Sequence, residues 1–368
     1  MDEQPSKLSV LTGFHAGYFR ITMSLSSQAL LWKTLMAYSS SASSISYIPT
    51  SIRDIAHHLH STLFLLFWSI SLAVLTSLSL LYLLRCVLRF ESVKKEFTHH
   101  VGANYLFAPS ISWLLLLESS PLDLLEISKL LYVALWLVFS LPAVGLEVKI
   151  YGQWFTKGKR FLASVANPTS QISVIANMVV ARGAAEMDCK ELALWVFSFG
   201  FAHYVVLFVT LYQRFNDGKM VPAELSPVFF LFFATPSFAS LAWSSLSVDG
   251  DGGGNVMGSK MLFFLSLFLF GCLIARPALF KQSMEKFDVA WWAYSFPLSA
   301  LAMGSVQYAR DVRDPFADNL MLVLLVVSVG VTFVLMIYTV LNAGKIIPHG
   351  GTDNDVDGDG DVDVYVVQ

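Results

Sequence analysis

The stretch FDVAWWAYSFPLSALAMGSVQY, residues 287–308, followed by NLMLVLLVVSVGVTFVLMIYTVLNA, residues 319–343, decides the fold. Both runs are apolar and membrane-length. The second is Leu, Val and Phe nearly all round and is at home against lipid. The first carries Pro297 at its middle among serines and alanines. A proline at bilayer depth leaves the carbonyl one turn back without a partner, and only protein or water can satisfy such a group there. Small residues also let helices approach closely. The pair therefore reads as an inner helix backed by an outer one.

The same alternation recurs along the chain. Spans are predicted at about 10–36, 61–88, 103–118, 127–148, 169–187, 190–212, 225–246, 259–280, 287–308 and 319–343. The odd-numbered ones carry Gly17, Pro109, Gly183, Pro227 with Pro236, and Pro297, whereas among the even ones only the fourth is interrupted, by Pro142. The expected fold class is an all-α polytopic membrane protein. Its ten transmembrane helices form five hairpins in a quasi-fivefold bundle whose odd-numbered helices line a central pore.

Composition fits this reading. Of 368 residues 55% are hydrophobic and 14% charged, with mean hydropathy +0.60, which excludes an ordinary soluble enzyme. The organisation expected is a short cytoplasmic tail (1–9), a ten-helix domain (10–343) and an acidic, disordered tail (344–368). With the N-terminus cytoplasmic, fifteen Lys and Arg fall on inner loops against seven on outer ones, so both termini are expected inside. His15 and Arg20 within the first span argue against a cleaved signal peptide. Cys86, Cys189 and Cys272 imply no disulfide framework.

No catalytic, nucleotide or metal motif is found, so no enzyme, cofactor or nucleic-acid partner is implied. His57, His58 and His60, and the pair His99 and His100, are expected in loops without carboxylate or thiol partners, and read as solvated. In the acidic tail Asp353, Asp355, Asp357 and Gly358 begin like a calcium loop. Val364 stands where the bidentate Glu is needed, and the run reads as an acidic tail.

Ionisable groups inside spans carry more weight, since each costs at least about 2.5–3.5 kcal/mol at mid-membrane. Arg20 is the candidate functional cation, because a positive charge at the inner end of a pore helix raises local anion concentration. Lys33 and Arg182 read either as vestibule charges or as side chains snorkelling to the outer interface. His203 reads as a helix-to-helix hydrogen-bonding residue. Phe296, beside the kink at Pro297, is a ring that could plug a narrow channel. Pro109 and Pro236 are further pore-lining candidates. Glu118 and Glu186 leave open a proton-coupled carboxylate carrier, the reading ranked last.

Five segments closely resemble the plant slow-type anion channels, which belong to the tellurite-resistance/dicarboxylate transporter superfamily. They are FHAGYFRITMSLSSQALLWKTL (14–35), KKEFTHHVGANYLFAPSISWLLLLESSP (94–121), IYGQWFTKGKRFLASVANPTSQISVI (150–175), FGFAHYVVLFVTLYQR (199–214) and FDVAWWAYSFPLSALA (287–302). The resemblance implies a trimer with a pore in each protomer, passive passage of chloride, nitrate or malate across the plasma membrane, and a pore phenylalanine that falls on Phe296. In the fifth span conducting relatives read Gly-Asn-Phe-Val-Gly where this chain has Ala176, Asn177, Met178, Val179 and Val180, which makes Ala176, Met178 and Val180 pore-lining candidates that depart from the pattern. The long N-terminal region of the best-known relatives has no counterpart here, so the short subtype is expected. The alternative is a silent subunit that joins the trimers of conducting relatives.

Overall fold

A computed structural model describes residues 11, 13–41, 50–122, 124–156, 166–216, 223–246 and 254–346. The tails and the acidic run therefore lie outside the described residues. Among the described residues there is no strand, and ten helices have twelve residues or more. They are α1 (Phe19–Ser41), α2 (Thr50–Leu88), α3 (Phe107–Glu118), α4 (Lys129–Thr156) and α5 (Gln171–Glu186). The second half holds α6 (Lys190–Asn216), α7 (Leu231–Leu246), α8 (Gly254–Ile274), α9 (Trp292–Val312) and α10 (Pro315–Leu341).

Each odd helix packs on the even one that follows it, α1 on α2 through to α9 on α10. The odd helices also pack on one another in sequence, α1 on α3, α3 on α5, α5 on α7, α7 on α9 and α9 back on α1. Burial follows the composition. From Gln171 to Ala185 every residue of α5 is buried except Arg182. In α10 only Ala317, Met321, Leu324, Ser328, Thr332 and Leu335 are buried, a stripe at helical spacing. The rest of that helix presents Leu322, Val323, Val326, Ile337 and Val340 outward, as a lipid-facing surface requires.

Among the described residues six helices are long and apolar enough to cross a membrane, α2, α4, α6, α7 with the end of its lead-in, α8 and α10, and a seventh if the bent pair Phe90–Thr98 and Gly102–Glu118 is one broken span. This is a multi-pass membrane protein. The expectation of ten membrane-length apolar stretches is met in part, because α1, α3, α5 and α9 fall short. At 1.5 Å per residue α3 is about 18 Å long and α5 about 24 Å, below the roughly 30 Å of a hydrocarbon core. Polar residues dilute α1 (Ser24, Ser26, Ser27, Gln28) and α9 (Ser295, Ser299, Ser305), all of them buried.

Three inner helices begin in the same way. His15, Asn167 and Asp288 are extended, with φ/ψ of −143/168, −141/168 and −138/159. Each leads through one 3-10 turn into α1, α5 or α9. The side chains of His15 and Asn167 accept the N–H two residues on, at 3.1 and 2.9 Å, which satisfies donors that a helix start leaves orphaned. These lead-ins shift the expected boundaries: the first span begins in helix at Phe19, and the ninth at Trp292. Two further expectations are corrected. α2 begins at Thr50, so His57, His58 and His60 lie in a helix. The eighth span stops at Ile274 because Pro277 follows, leaving a separate turn at Ala278–Lys281. At the opposite ends, Asp188 (φ 64) and Arg313 (φ 53) take the left-handed conformation that closes the turns into α6 and α10.

Candidate functional site

One small cavity is lined from all five inner elements. α1 supplies Arg20 and Met23, the segment before α3 supplies Tyr105, and α5 supplies Ile172. Val228 and Leu231 come from the start of α7, and Trp292, Ala293 and Phe296 from α9. Its free space for water-sized spheres is ≈ 10 Å³, about one water molecule.

Arg20 stands in the first turn of α1 with 8% of its surface exposed. Its Nε donates to the Gly17 carbonyl at 2.8 Å and its Nη1 to the Tyr105 hydroxyl at 3.5 Å, and the guanidinium lies 4.9 Å from the Tyr105 ring centroid. The lead-in must be tight for this. A Cβ on Gly17 would sit 2.6 Å from the His15 ring, so only glycine fits. Among the described residues no carboxylate pairs with Arg20 within 4.0 Å. A buried guanidinium held by a carbonyl and an aromatic face keeps its full charge for whatever enters the cavity.

Phe296 lines the cavity from α9. It is 2% exposed and stacks on Phe238 of α7, with ring centroids 5.2 Å apart and an interplanar angle of 21°. Pro297, next in the chain, has no N–H to offer the carbonyl of Ala293. Ser24 of α1 donates to the neighbouring carbonyl, that of Trp292, at 2.9 Å, so α1 binds α9 at the kink. Just beyond, Gln28 of α1 donates to Ser299 of α9 (3.0 Å) and to Ser328 (2.9 Å) and Thr332 (2.7 Å) of α10. The ring thus lies between two polar ties from α1 to α9, beside a cavity with room for about one water.

Residues 13–340 match the voltage-dependent anion channel family. The chain belongs to that family. Three Arabidopsis thaliana proteins carry the likeness further. The S-type anion channel SLAH1 is 50% identical over 342 residues, 93% of this chain and 85% of its own length. The S-type anion channel SLAH4 is 49% identical over 351 residues, 94% and 88%. The guard cell S-type anion channel SLAC1 is 40% identical over 333 residues, 90% of this chain but 56% of its own length.

Among the residues singled out in this anion channel family member, Arg20 and Phe296 come together at the cavity, Pro297 follows Phe296 inside α9 without lining it, and the others lie elsewhere. Lys33 is thirteen residues beyond Arg20 on α1, about 20 Å along the axis. Its ammonium donates to the carbonyls of Glu118 (2.9 Å) and Ser120 (3.2 Å). Arg182 lies 3.6 Å from the buried Glu118 carboxylate and 3.3 Å from Glu186, so two carboxylates offset its charge. Pro109 is half-buried in α3, and Pro236, Ala176 and Val180 are buried. Met178 is fully buried with its methyl toward Gly200 of α6, 3.1 Å from where a Cβ there would sit. His203 Nδ1 donates to the Phe199 carbonyl of its own helix (2.8 Å), and the ring stacks flat on Tyr151 of α4, centroids 3.7 Å apart.

Sequence reasoning missed three groups. Phe238 follows Pro236 by two residues, and an aromatic near a mid-span proline is the signal that found Phe296. Tyr105 had no signal, being one aromatic among many. Glu147, in an even span and 2% exposed, accepts a hydrogen bond from Asn177 of α5. A carboxylate inside an apolar span is itself a signal, and here it ties an outer helix to an inner one.

Proposed function

We propose that this chain is a channel subunit in which α1, α3, α5, α7 and α9 enclose a pore for small anions, held shut by Phe296. All ten long helices cross the bilayer as five hairpins in quasi-fivefold order. The single observation that carries the reading is the cavity drawn from all five inner elements, which has an unpaired, buried Arg20 and Phe296 on its wall. Because the chain reverses at every step, the five inner helices run in the same direction, and their positive N-terminal ends gather at the mouth beside Arg20. That field attracts anions and repels cations. Among the described residues that line the cavity there is no carboxylate or histidine, which supports passive flow. Chloride, nitrate and malate, and the plasma membrane, are what the family resemblance suggests, and the loop charge bias supports an orientation with Arg20 on the cytoplasmic side.

Assembly follows the resemblance: a trimer with one pore per protomer. The silent-subunit reading keeps one observation in its favour, the passage itself, which has room for about one water and is plugged by two stacked rings. Anion currents in oocytes separate the two. A channel that opens unaided passes current when expressed alone, and a silent subunit alters current only when expressed with a conducting relative. Absence of current from Phe296→Ala under both conditions, with protein at the surface, would refute the pore.

A further inference from the structure

The helix Phe90–Thr98, between α2 and the segment leading to α3, is bent by 105° from Gly102–Glu118. Its own sequence sets how it lies. At 100° per residue, Phe90, Val93 and Phe97 share one side, Ser92 and Glu96 a second, and Glu91, Lys95 and Thr98 a third, with Lys94 at the edge of the apolar side. Phe90 is 65% exposed and Phe97 39%, with the Lys149 ammonium lying 2.8 Å from the Phe97 ring centroid. Glu96 is fully buried on the protein side. Its Oε2 takes the Arg85 guanidinium at 2.6 Å, and its Oε1 accepts the Ala16 N–H, at the lead-in to α1, at 2.7 Å.

We propose that this helix lies in the inner leaflet surface and, with Lys149, binds the headgroups of anionic phospholipids. Arg89, Lys94 and Lys95 against Glu91 leave two positive charges on the exposed faces, since Arg85 and Glu96 offset each other. Lys149 of α4 adds a third beside them, donating to the Phe97 carbonyl at 3.3 Å. Between α4 and the end of the helix lies a crevice of ≈ 30 Å³ whose walls include Phe97, His99, His100, Lys149 and Trp154. That volume accommodates headgroup oxygens, while the exposed phenylalanines sit among acyl chains. Basic side chains at the surface level with apolar anchors beneath fit an anionic lipid better than a soluble anion. The site bears on the channel through Glu96, because a lipid that fixes this helix also fixes the backbone that carries Arg20. The placement in the inner leaflet rests on the orientation proposed above.

The test reads binding and leaves anion flux aside, so its failure would leave the channel reading untouched. The full chain in mild detergent is titrated with phosphatidylinositol 4,5-bisphosphate and with phosphatidylcholine, and bound lipid is counted by native mass spectrometry. The parent should retain the anionic lipid preferentially. Lys94→Gln with Lys95→Gln should weaken it by about fivefold per lysine, whereas Lys129→Gln with Lys190→Gln, at the opposite end of the molecule, should not. All four lysines are exposed, so folding is not at stake. Equal retention of both lipids, equal binding by parent and Lys94/Lys95 variant, an equal loss in the Lys129/Lys190 control, or displacement by millimolar inorganic phosphate would each overturn the proposal.

Discussion

In the proposed channel Arg20 attracts anions and Phe296 excludes them, and each role predicts a separate trace in transport. In a Phe296→Ala background Arg20→Gln should lower anion current roughly tenfold at low ionic strength and less at high salt, because focusing by a fixed charge is screened. A salt-independent effect would mean that Arg20 acts through packing. Phe238 shares the plug: once Phe296 is cut back, the Phe238 ring is free to fill the gap. Phe238→Ala with Phe296→Ala should therefore conduct more than Phe296→Ala alone. Equal single-channel currents in the two would remove Phe238 from the gate. Arg20 and Phe296 were legible in the sequence because a charge and a proline in an apolar span are rare. Phe238 was obscured among 29 phenylalanines.

At the scale of elements, the inner helices are positioned by how closely the outer ones approach. A Cβ on Gly200 of α6 would lie 2.7 Å from the Asn177 Cβ, which has no freedom to move, so Gly200→Ala must push α6 off α5. Overpacking of this kind costs about 1–3 kcal/mol. Gly145→Ala in α4, where a Cβ meets nothing within 4 Å, should be neutral or stabilise by up to about 1 kcal/mol through helix propensity. Thermal unfolding in detergent compares them, and equal midpoints would refute the close contact. By the same geometry Met178→Phe presses a ring against Gly200, so it should lower the midpoint while Met178→Leu leaves it near the parent. A rise in conductance from Met178→Phe without loss of stability would instead return that position to the pore. The even helices were legible from hydropathy. Their partners were blurred at the ends, because extended caps and 3-10 turns carry no helical periodicity, and the bent helix at Phe90–Thr98 is too short to show one.

The molecule as a whole sorts its sequence by neighbour. Polar residues that would cost most in lipid, among them Ser24, Ser26, Gln28, Asn177 and Ser299, are buried in the inner helices, where they bond to one another or to the inner faces of outer helices. Most of the Leu, Val and Phe of α10 face outward, Leu324 and Leu335 being buried. That sorting is why alternation along the chain revealed inner and outer helices before any coordinate did. Side-chain partners such as Lys33 with the end of α3, or Arg182 between Glu118 and Glu186, depend on three-dimensional juxtaposition and left no mark in the order of residues. The central claim is that the inner helices enclose a pore held shut at Phe296, with Phe238 stacked on it. The most direct measurement is anion current in oocytes expressing Phe296→Ala at surface levels matched to the parent, since truncating a buried phenylalanine also costs about 3–5 kcal/mol of stability. The account predicts large, anion-selective currents from Phe296→Ala where the parent passes little. Surface-expressed Phe296→Ala that passes no more anion than the parent, alone and with a conducting relative, would contradict it.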